Sequence, residues 1–265
     1  MSIRFENLSK SFGPKTVLKD VSFEVAKGEI LFILGKSGMG KSVTLKHIVG
    51  VLKPDEGRVF VDGQDVTRLD DNGLADVRRK CGMVFQHPAL LDSLSVYQNV
   101  SFGLRTPQFI RSQPRPLTED EIRTRVTETL RLVNLGPDIF DRYPPEISYG
   151  MQKRVSLART LAPGPTYLLF DEPTTGLDPI TTNAVNDLVY ELSRKLKVTS
   201  VVVSHDMQCA LKIADRVLVL DNAGILALQT VPEIKRSREP LIRDFLAETL
   251  ALLPPEERAE LEAQP

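Results

Sequence analysis

The hydrophobic and polar positions of the chain follow two distinct rhythms. Residues 3–8 (Ile-Arg-Phe-Glu-Asn-Leu), 21–25 (Val-Ser-Phe-Glu-Val) and 58–63 (Arg-Val-Phe-Val-Asp-Gly) alternate apolar and polar side chains. That period of two predicts half-buried antiparallel strands. Residues 30–34 (Ile-Leu-Phe-Ile-Leu), 81–85, 167–170, 199–203 and 217–220 are short apolar runs separated by helical stretches. Runs of this kind predict a parallel sheet covered by helices on both faces, with any ligand beyond the carboxyl ends of its strands. Between residues 85 and 167 no strand is expected, so this stretch reads as a helical insertion of about 87–162. One of its helices is well marked. Thr118 and Glu121 have capping-box spacing, Ile122, Val126, Leu130 and Val133 share one face, and Gly136-Pro137 is expected to end it. Residues 106–117, with three prolines, read as a solvated loop in preference to a PxxP-type binding motif.

One strand-to-helix junction carries chemistry. Gly35-Lys36-Ser37-Gly38-Met39-Gly40-Lys41-Ser42 matches every fixed position of the phosphate-binding loop G-x-x-x-x-G-K-[ST], after the strand at 30–34 and before a predicted helix at 42–49. Its glycines allow the backbone N–H groups to approach phosphate oxygens, and the helix N-terminus adds partial positive charge. Lys41 is placed to reach the β and γ phosphates and Ser42 to ligate Mg²⁺. A second site closes the run Tyr167-Leu168-Leu169-Phe170 with the carboxylates Asp171 and Glu172. Two adjacent carboxylates at a buried strand end are costly without a cation or a transferable proton. Asp171 is therefore expected on Mg²⁺ and Glu172 as the base that takes a proton from the attacking water.

Composition narrows the class without changing it. The 265 residues include 42% hydrophobic and 26% charged side chains, ordinary for a globular protein. A net charge of −1 provides no electrostatic footprint for nucleic acid. Cys81 and Cys209 match no metal or redox spacing and read as free thiols in preference to a disulfide. No apolar run approaches the ~20 residues of a membrane span, and the N-terminus lacks a secretion signal. The chain is expected to be cytoplasmic, with any membrane role requiring a partner.

With these motifs in place, the chain resembles the ATP-binding subunit of an ABC transporter over residues 1 to about 247, with a tail at 248–265. Ile147-Ser148-Tyr149-Gly150-Met151-Gln152 resembles the family signature, Gln86 stands at the Q-loop, Gly176-Leu177-Asp178 at the D-loop and His205 at the switch histidine. Phe12 stands where the family stacks an aromatic ring on adenine, although a core phenylalanine is the plain alternative. The resemblance implies an α/β P-loop NTPase of ABC type: a mixed sheet flanked by helices, with an antiparallel β subdomain and an inserted helical subdomain. It also implies ATP and Mg²⁺ as cofactors and a homodimer in which Ser148 and Gly150 complete the opposite subunit's site and Asp178 communicates across the seam. Gln86 would contact Mg²⁺ or the lytic water, and His205 the γ-phosphate. Tyr149 replaces the usual glycine, so a slow regulatory subunit stands beside an active ATPase. A GTPase switch would need an Asn-Lys-x-Asp segment, which is absent. A DNA-repair or chromosome-type ABC ATPase would need a long coiled-coil or zinc-bearing insertion, which this length does not accommodate.

Finer resemblance points to Mce-associated and lipid-asymmetry-maintenance (Mla-type) ATPases. Its carriers are Phe85-Gln86-His87-Pro88-Ala89-Leu90-Leu91-Asp92-Ser93-Leu94-Ser95-Val96-Tyr97-Gln98-Asn99-Val100, in which Leu91 replaces the usual phenylalanine, Asp178-Pro179-Ile180, Val201-Val202-Val203-Ser204-His205-Asp206-Met207 and Pro240-Leu241-Ile242-Arg243-Asp244-Phe245-Leu246. The resemblance implies phospholipid or other hydrophobic cargo, an integral permease and an Mce-type lipid-binding partner. The alternative is an importer of amino acids or other small solutes. Residues 90–104 are expected to help form a groove for a permease helix. Leu241, Phe245 and residues 247–253 can make an amphipathic helix, with a frayed terminus as the other reading.

Overall fold

The computed structural model describes residues 2–252. Its first half runs β1 (Ile3–Phe12), β2 (Lys15–Val25), β3 (Ile30–Leu34), α1 (Lys41–Ile48), β4 (Glu56–Val61), β5 (Gln64–Asp65), α2 (Asp71–Lys80) and β6 (Cys81–Val84). Four helices follow without a strand between them: α3 (Val96–Ser101), α4 (Pro107–Ser112), α5 (Glu119–Leu132) and α6 (Tyr149–Leu161). The remainder is β7 (Tyr167–Asp171), α7 (Pro179–Leu196), β8 (Thr199–Ser204), α8 (Met207–Ile213), β9 (Arg216–Asp221), β10 (Gly224–Thr230), α9 (Val231–Lys235) and α10 (Pro240–Leu252).

The alternating segments form an antiparallel sheet of order β2-β1-β4-β5, and the apolar runs a mixed sheet of order β10-β9-β3-β8-β7-β6. In the mixed sheet β9, β3, β8, β7 and β6 are parallel, while β10 returns antiparallel along the edge. Continuous apolar runs are needed because both faces are covered. Leu31 and Ile33 of β3 join Leu45 and Ile48 of α1 and Phe5 and Val59 of the antiparallel sheet in one core. Ile30, Phe32 and Leu34 join the helical insertion, α7 and α8 in the other. All five side chains of β3 are fully buried. At roughly 1.5–3 kcal/mol for each fully buried large apolar side chain, such a strand has one stable position, and the loop after it starts from a fixed point.

Some elements depart from expectation. The solvated loop expected at 106–117 is half helix: Thr106 accepts from the Phe109 N–H at 3.3 Å, Pro107 opens α4, and the Phe109 side chain is buried. Proline at a first helical turn loses no needed hydrogen bond, so its presence did not exclude a helix. The α5 capping box forms as expected, Glu121 N–H to Thr118 Oγ1 at 3.3 Å and Thr118 N–H to Glu121 Oε2 at 2.7 Å. That helix stops earlier, however, where Asn134 takes φ 56°, and Gly136-Pro137 instead opens a short 3₁₀ turn. Strand β10 had no expectation, because its turn, Asn222-Ala223 with φ of 45° and 66°, lacks glycine. Both cysteines are free thiols, as expected. The border placed at residue 247 falls inside α10, whose Ile242 and Phe245 join the core. Residues 253–265, which hold the rest of the tail, lie outside the described residues. No helix among the described residues is long and apolar enough to cross a membrane.

Candidate nucleotide site

The loop between β3 and α1 opens at the carboxyl end of the parallel strands, as the strand pattern predicts. Gly40 takes φ 93°, and a Cβ there would stand 2.7 Å from Leu18 Cδ2, so a buried neighbour and a left-handed backbone both demand glycine. Gly38, at φ 80°, faces the Lys15 ammonium. A cleft of about 810 Å³ gathers Phe12, Lys36, Ser37, Gly38, Gly40, Lys41, Ser42, Gln86, Glu172 and His205 from five separate stretches of sequence. Phe12 is 47% exposed at its rim, which excludes the core reading and leaves an aromatic face for a base.

Polar groups at the floor of the cleft are already engaged with one another. The Lys41 ammonium donates to the Gly35 carbonyl at 2.7 Å and to the Lys36 carbonyl at 3.2 Å, and lies 3.3 Å from Glu172 Oε1. Ser42 Oγ donates to Asp171 Oδ1 at 2.6 Å. Glu172 Oε2 accepts from Thr175 Oγ1 and from His205 Nδ1, each at 3.0 Å. Burial pushes the Glu172 carboxyl upward, but the Lys41 ammonium, the Thr175 hydroxyl and His205 outweigh it and hold the group below the usual glutamate value. Glu172 is thus an anion at neutral pH, the state a proton acceptor needs. Its backbone takes φ 50°, a left-handed conformation of order 1–3 kcal/mol in cost that clusters at functional sites.

Three residues expected at the site, Gly35 and Met39 for nucleotide and Asp171 for Mg²⁺, are not among those that line the cleft. Gly35 packs against the end of β9, where a Cβ would meet the Leu220 carbonyl at 2.8 Å. Asp171 reaches the cleft only through Ser42. Met39 is partly buried, packs its side chain against the core beneath the antiparallel sheet, and donates its N–H to the Lys36 carbonyl at 3.3 Å. Ser148, Gly150 and Asp178 do not line the cleft either. Ser148 caps α6 by accepting from the Met151 N–H at 3.3 Å. Asp178 caps α7 through the Thr181 N–H and hydroxyl, at 3.0 and 2.6 Å, and these bonds hold its carboxyl below the usual aspartate value. Gly150 lies beside Thr181, so the two segments neighbour each other away from this cleft.

The structure adds Lys15, Val17, Val43, Thr175, Phe245 and Glu248 to the wall. Thr175 follows Asp171-Glu172-Pro173 closely enough to be sought there from sequence. Phe245 and Glu248 come from α10, about two hundred residues from the loop, and no local pattern announces them.

The residues suit a magnesium nucleotide. Ser42 and Asp171 present hard oxygen donors side by side, Gln86 adds an amide, and among the described residues no cluster of three His, Cys, Asp or Glu cages an ion. So few protein ligands match Mg²⁺, which is held largely by water and by its substrate's phosphates.

Residues 18–175 match the family model described as ABC transporter. The chain is 39% identical over 269 residues to the methionine import ATP-binding protein MetN of Escherichia coli O157:H7, covering 99% of this chain and 76% of that one. It is 40% identical to MetN of Carboxydothermus hydrogenoformans, covering 96% and 74%. Among solved structures, the dimeric ATP-binding cassette MJ0796 bound to ADP and Pi superimposes at a TM-score of 0.76, with 32% identity over 86% of this chain and 98% of that one. CbiO1 of Clostridium perfringens, part of the transporter complex cbiONQ, superimposes at 0.80, with 29% identity over 98% of each. The fold, the Mg·ATP cleft and these similarities together place the chain in the ABC transporter family, as an ATP-binding subunit with ATPase activity.

Proposed function

We propose that this ATPase drives a membrane permease that imports a small solute, with amino acids the first class to test. The similarity to methionine import ATPases along nearly the whole chain is the observation that carries this reading. The chain's residues have distinct parts in it. Phe12 stacks on the base, and the loop 35–42 with Lys41 holds the phosphates. Ser42, Asp171 and Gln86 would hold Mg²⁺, which when bound neutralises phosphate charge. Glu172, ionised by its surroundings, takes the proton of the attacking water, while His205 orients it. Ser148, Gly150 and Asp178 lie outside the chain's own cleft, which supports their use by a second copy in a head-to-tail dimer. The catalytic unit takes in α10, whose Phe245 and Glu248 line the cleft, and the insertion at about 87–162 receives the permease.

A second reading, lipid cargo with an Mce-type partner, rests on the run Ala89-Leu90-Leu91-Asp92-Ser93-Leu94 and on Pro240-Leu241-Ile242-Arg243-Asp244-Phe245-Leu246. Mass spectrometry of proteins and ligands that co-purify with Glu172→Gln protein from native membranes, with ATP present, separates the two. A permease with a solute-binding protein is expected. A permease with bound phospholipid and an Mce-type protein would replace the cargo, and the absence of any membrane partner would remove the transporter role.

A further inference from the structure

Lys153 is a buried cation that none of the recognised motifs employs. It lies in the first turns of α6, 6% exposed, and shares the lining of a small apolar cavity with Val84, Leu157, Phe170 and Val185. Its ammonium donates to the backbone carbonyl of Gln86 and, at 3.2 Å, to that of Pro173. Among the described residues no carboxylate lies within salt-bridge distance of it, and the Tyr149 ring, one turn earlier, has its centroid 5.6 Å from the ammonium. Desolvation pulls its pKa below the ordinary lysine value.

An ammonium among apolar side chains costs more than a methionine of similar length, so packing alone does not account for a lysine here. What it grips does. Gln86 lines the nucleotide cleft at the entrance to the helical insertion, and Pro173 is joined directly to Glu172. One ammonium on the helix headed by Ser148 thereby ties together the peptide that carries the Gln86 amide and the peptide next to the Glu172 carboxylate. Loss of the grip frees both loops to drift apart while leaving the loop 35–42 untouched.

We infer that Lys153 is a positioning residue for hydrolysis: its ammonium holds the Gln86 and Pro173 backbones in register, so that the Gln86 amide and the Glu172 carboxylate address the same γ-phosphate, and it couples both to α6. The inference rests on the roles proposed for Gln86 and Glu172. Binding of nucleotide belongs to other groups, so the effect falls on turnover.

The test compares Lys153→Met and Lys153→Arg in the full chain, with Glu172→Gln as the control. For Lys153→Met, kcat is expected to fall about tenfold or more, while KM and the Kd for Mg·ATP stay within about twofold. Its melting temperature should stay within about 4 °C of wild type. Lys153→Arg, which can still donate to both carbonyls, should recover kcat to within about threefold. A wild-type kcat in Lys153→Met, equal impairment of both variants, or a loss confined to KM would each overturn the inference. Should Lys153→Met fail to fold, Lys153→Gln replaces it: its shorter, neutral amide does not span both carbonyls, so kcat should again fall about tenfold with KM unchanged, and a wild-type kcat in the folded protein would overturn the role. Normal turnover by Glu172→Gln would instead reject the site assignment, independently of Lys153.

Discussion

Two helices in this chain begin with phosphate-binding sequence patterns, and their first turns are in different states. Helix α1 starts from Gly40 in a left-handed conformation with no side-chain cap, so its first N–H groups point into the cleft beside Lys41. Helix α6 starts from Ser148, whose hydroxyl already caps the Met151 N–H, with the Tyr149 ring 40% exposed beside it. The first is a site prepared within its own chain, clamped between two cores. The second is closed on itself and turned outward, as a surface meant to meet another molecule would be. A phosphate-binding sequence pattern therefore does not by itself place a helix end in the chain's own cleft: the cap residue and the position of the helix decide which donors that cleft receives.

Replacing Lys41 strikes the prepared end and has the largest expected effect. Lys41→Met removes the one buried cation of the cleft floor and leaves Glu172 without its main stabilising charge. ATPase activity should fall by roughly 10²–10³-fold and Mg·ATP affinity should weaken in titration calorimetry. Unchanged affinity would mean that α1's backbone donors carry binding alone.

Ser148→Ala sharpens the contrast at the other end. Loss of the cap should lower stability by about 1 kcal/mol, a fall of some 2–4 °C in melting temperature for a chain of this size. Mg·ATP affinity of the monomer should not change, because Ser148 lies outside the cleft, whereas turnover at concentrations that allow dimers should fall about tenfold. A monomer affinity that drops as far as it does in Lys41→Met would place both helix ends in one site and abolish the distinction.

The same contrast explains what was legible in the sequence. The loop 35–42 is contiguous and its geometry is local, so eight consecutive residues sufficed to place it between β3 and α1. Asp171 and Glu172 were legible because carboxylates end a run that is otherwise wholly apolar. Lys153 was not, since a lysine in a helix normally reads as a solvated face, and only the packing of α6 against β6 and β7 turns it inward. Phe245 and Glu248 were hidden for a similar reason: the contact between α10 and the cleft is made by tertiary packing across most of the chain. Met39 packs against the core, a placement the motif does not announce, because motif membership says nothing about which side of a turn a side chain takes. The helix within 106–117 was missed through counting prolines without asking which of them occupies a first turn.

The smallest effect concerns how α1 itself is held. His47, in its last turn, is buried to 1% exposure, and its Nδ1 donates to the Val43 carbonyl at 2.8 Å. Burial lowers its pKa; the Val43 carbonyl opposes this, Lys10 adds to the lowering, Asp55 and the Lys53 backbone oppose it, and the net shift is downward. The unfolded chain therefore binds a proton at His47 before the folded one does. Stability from the neutral imidazole is complete above the ordinary histidine value near 6.5 and is lost as the pH falls below it toward the folded-state value. Thermal melts from pH 7.5 down to 5.5 should show a larger fall for wild type than for His47→Phe, whose ring cannot titrate. Asp55, fully exposed and held below the usual aspartate value by Lys10 and the Ser11 N–H, stays ionised across that range and does not contribute to the difference. Equal falls in the two proteins would show that the prepared end of α1 is insensitive to protonation of the helix that supports it. A larger fall in wild type would mean that acid loosens the P-loop helix from its far end, while the capped α6, which contains no histidine, keeps its footing.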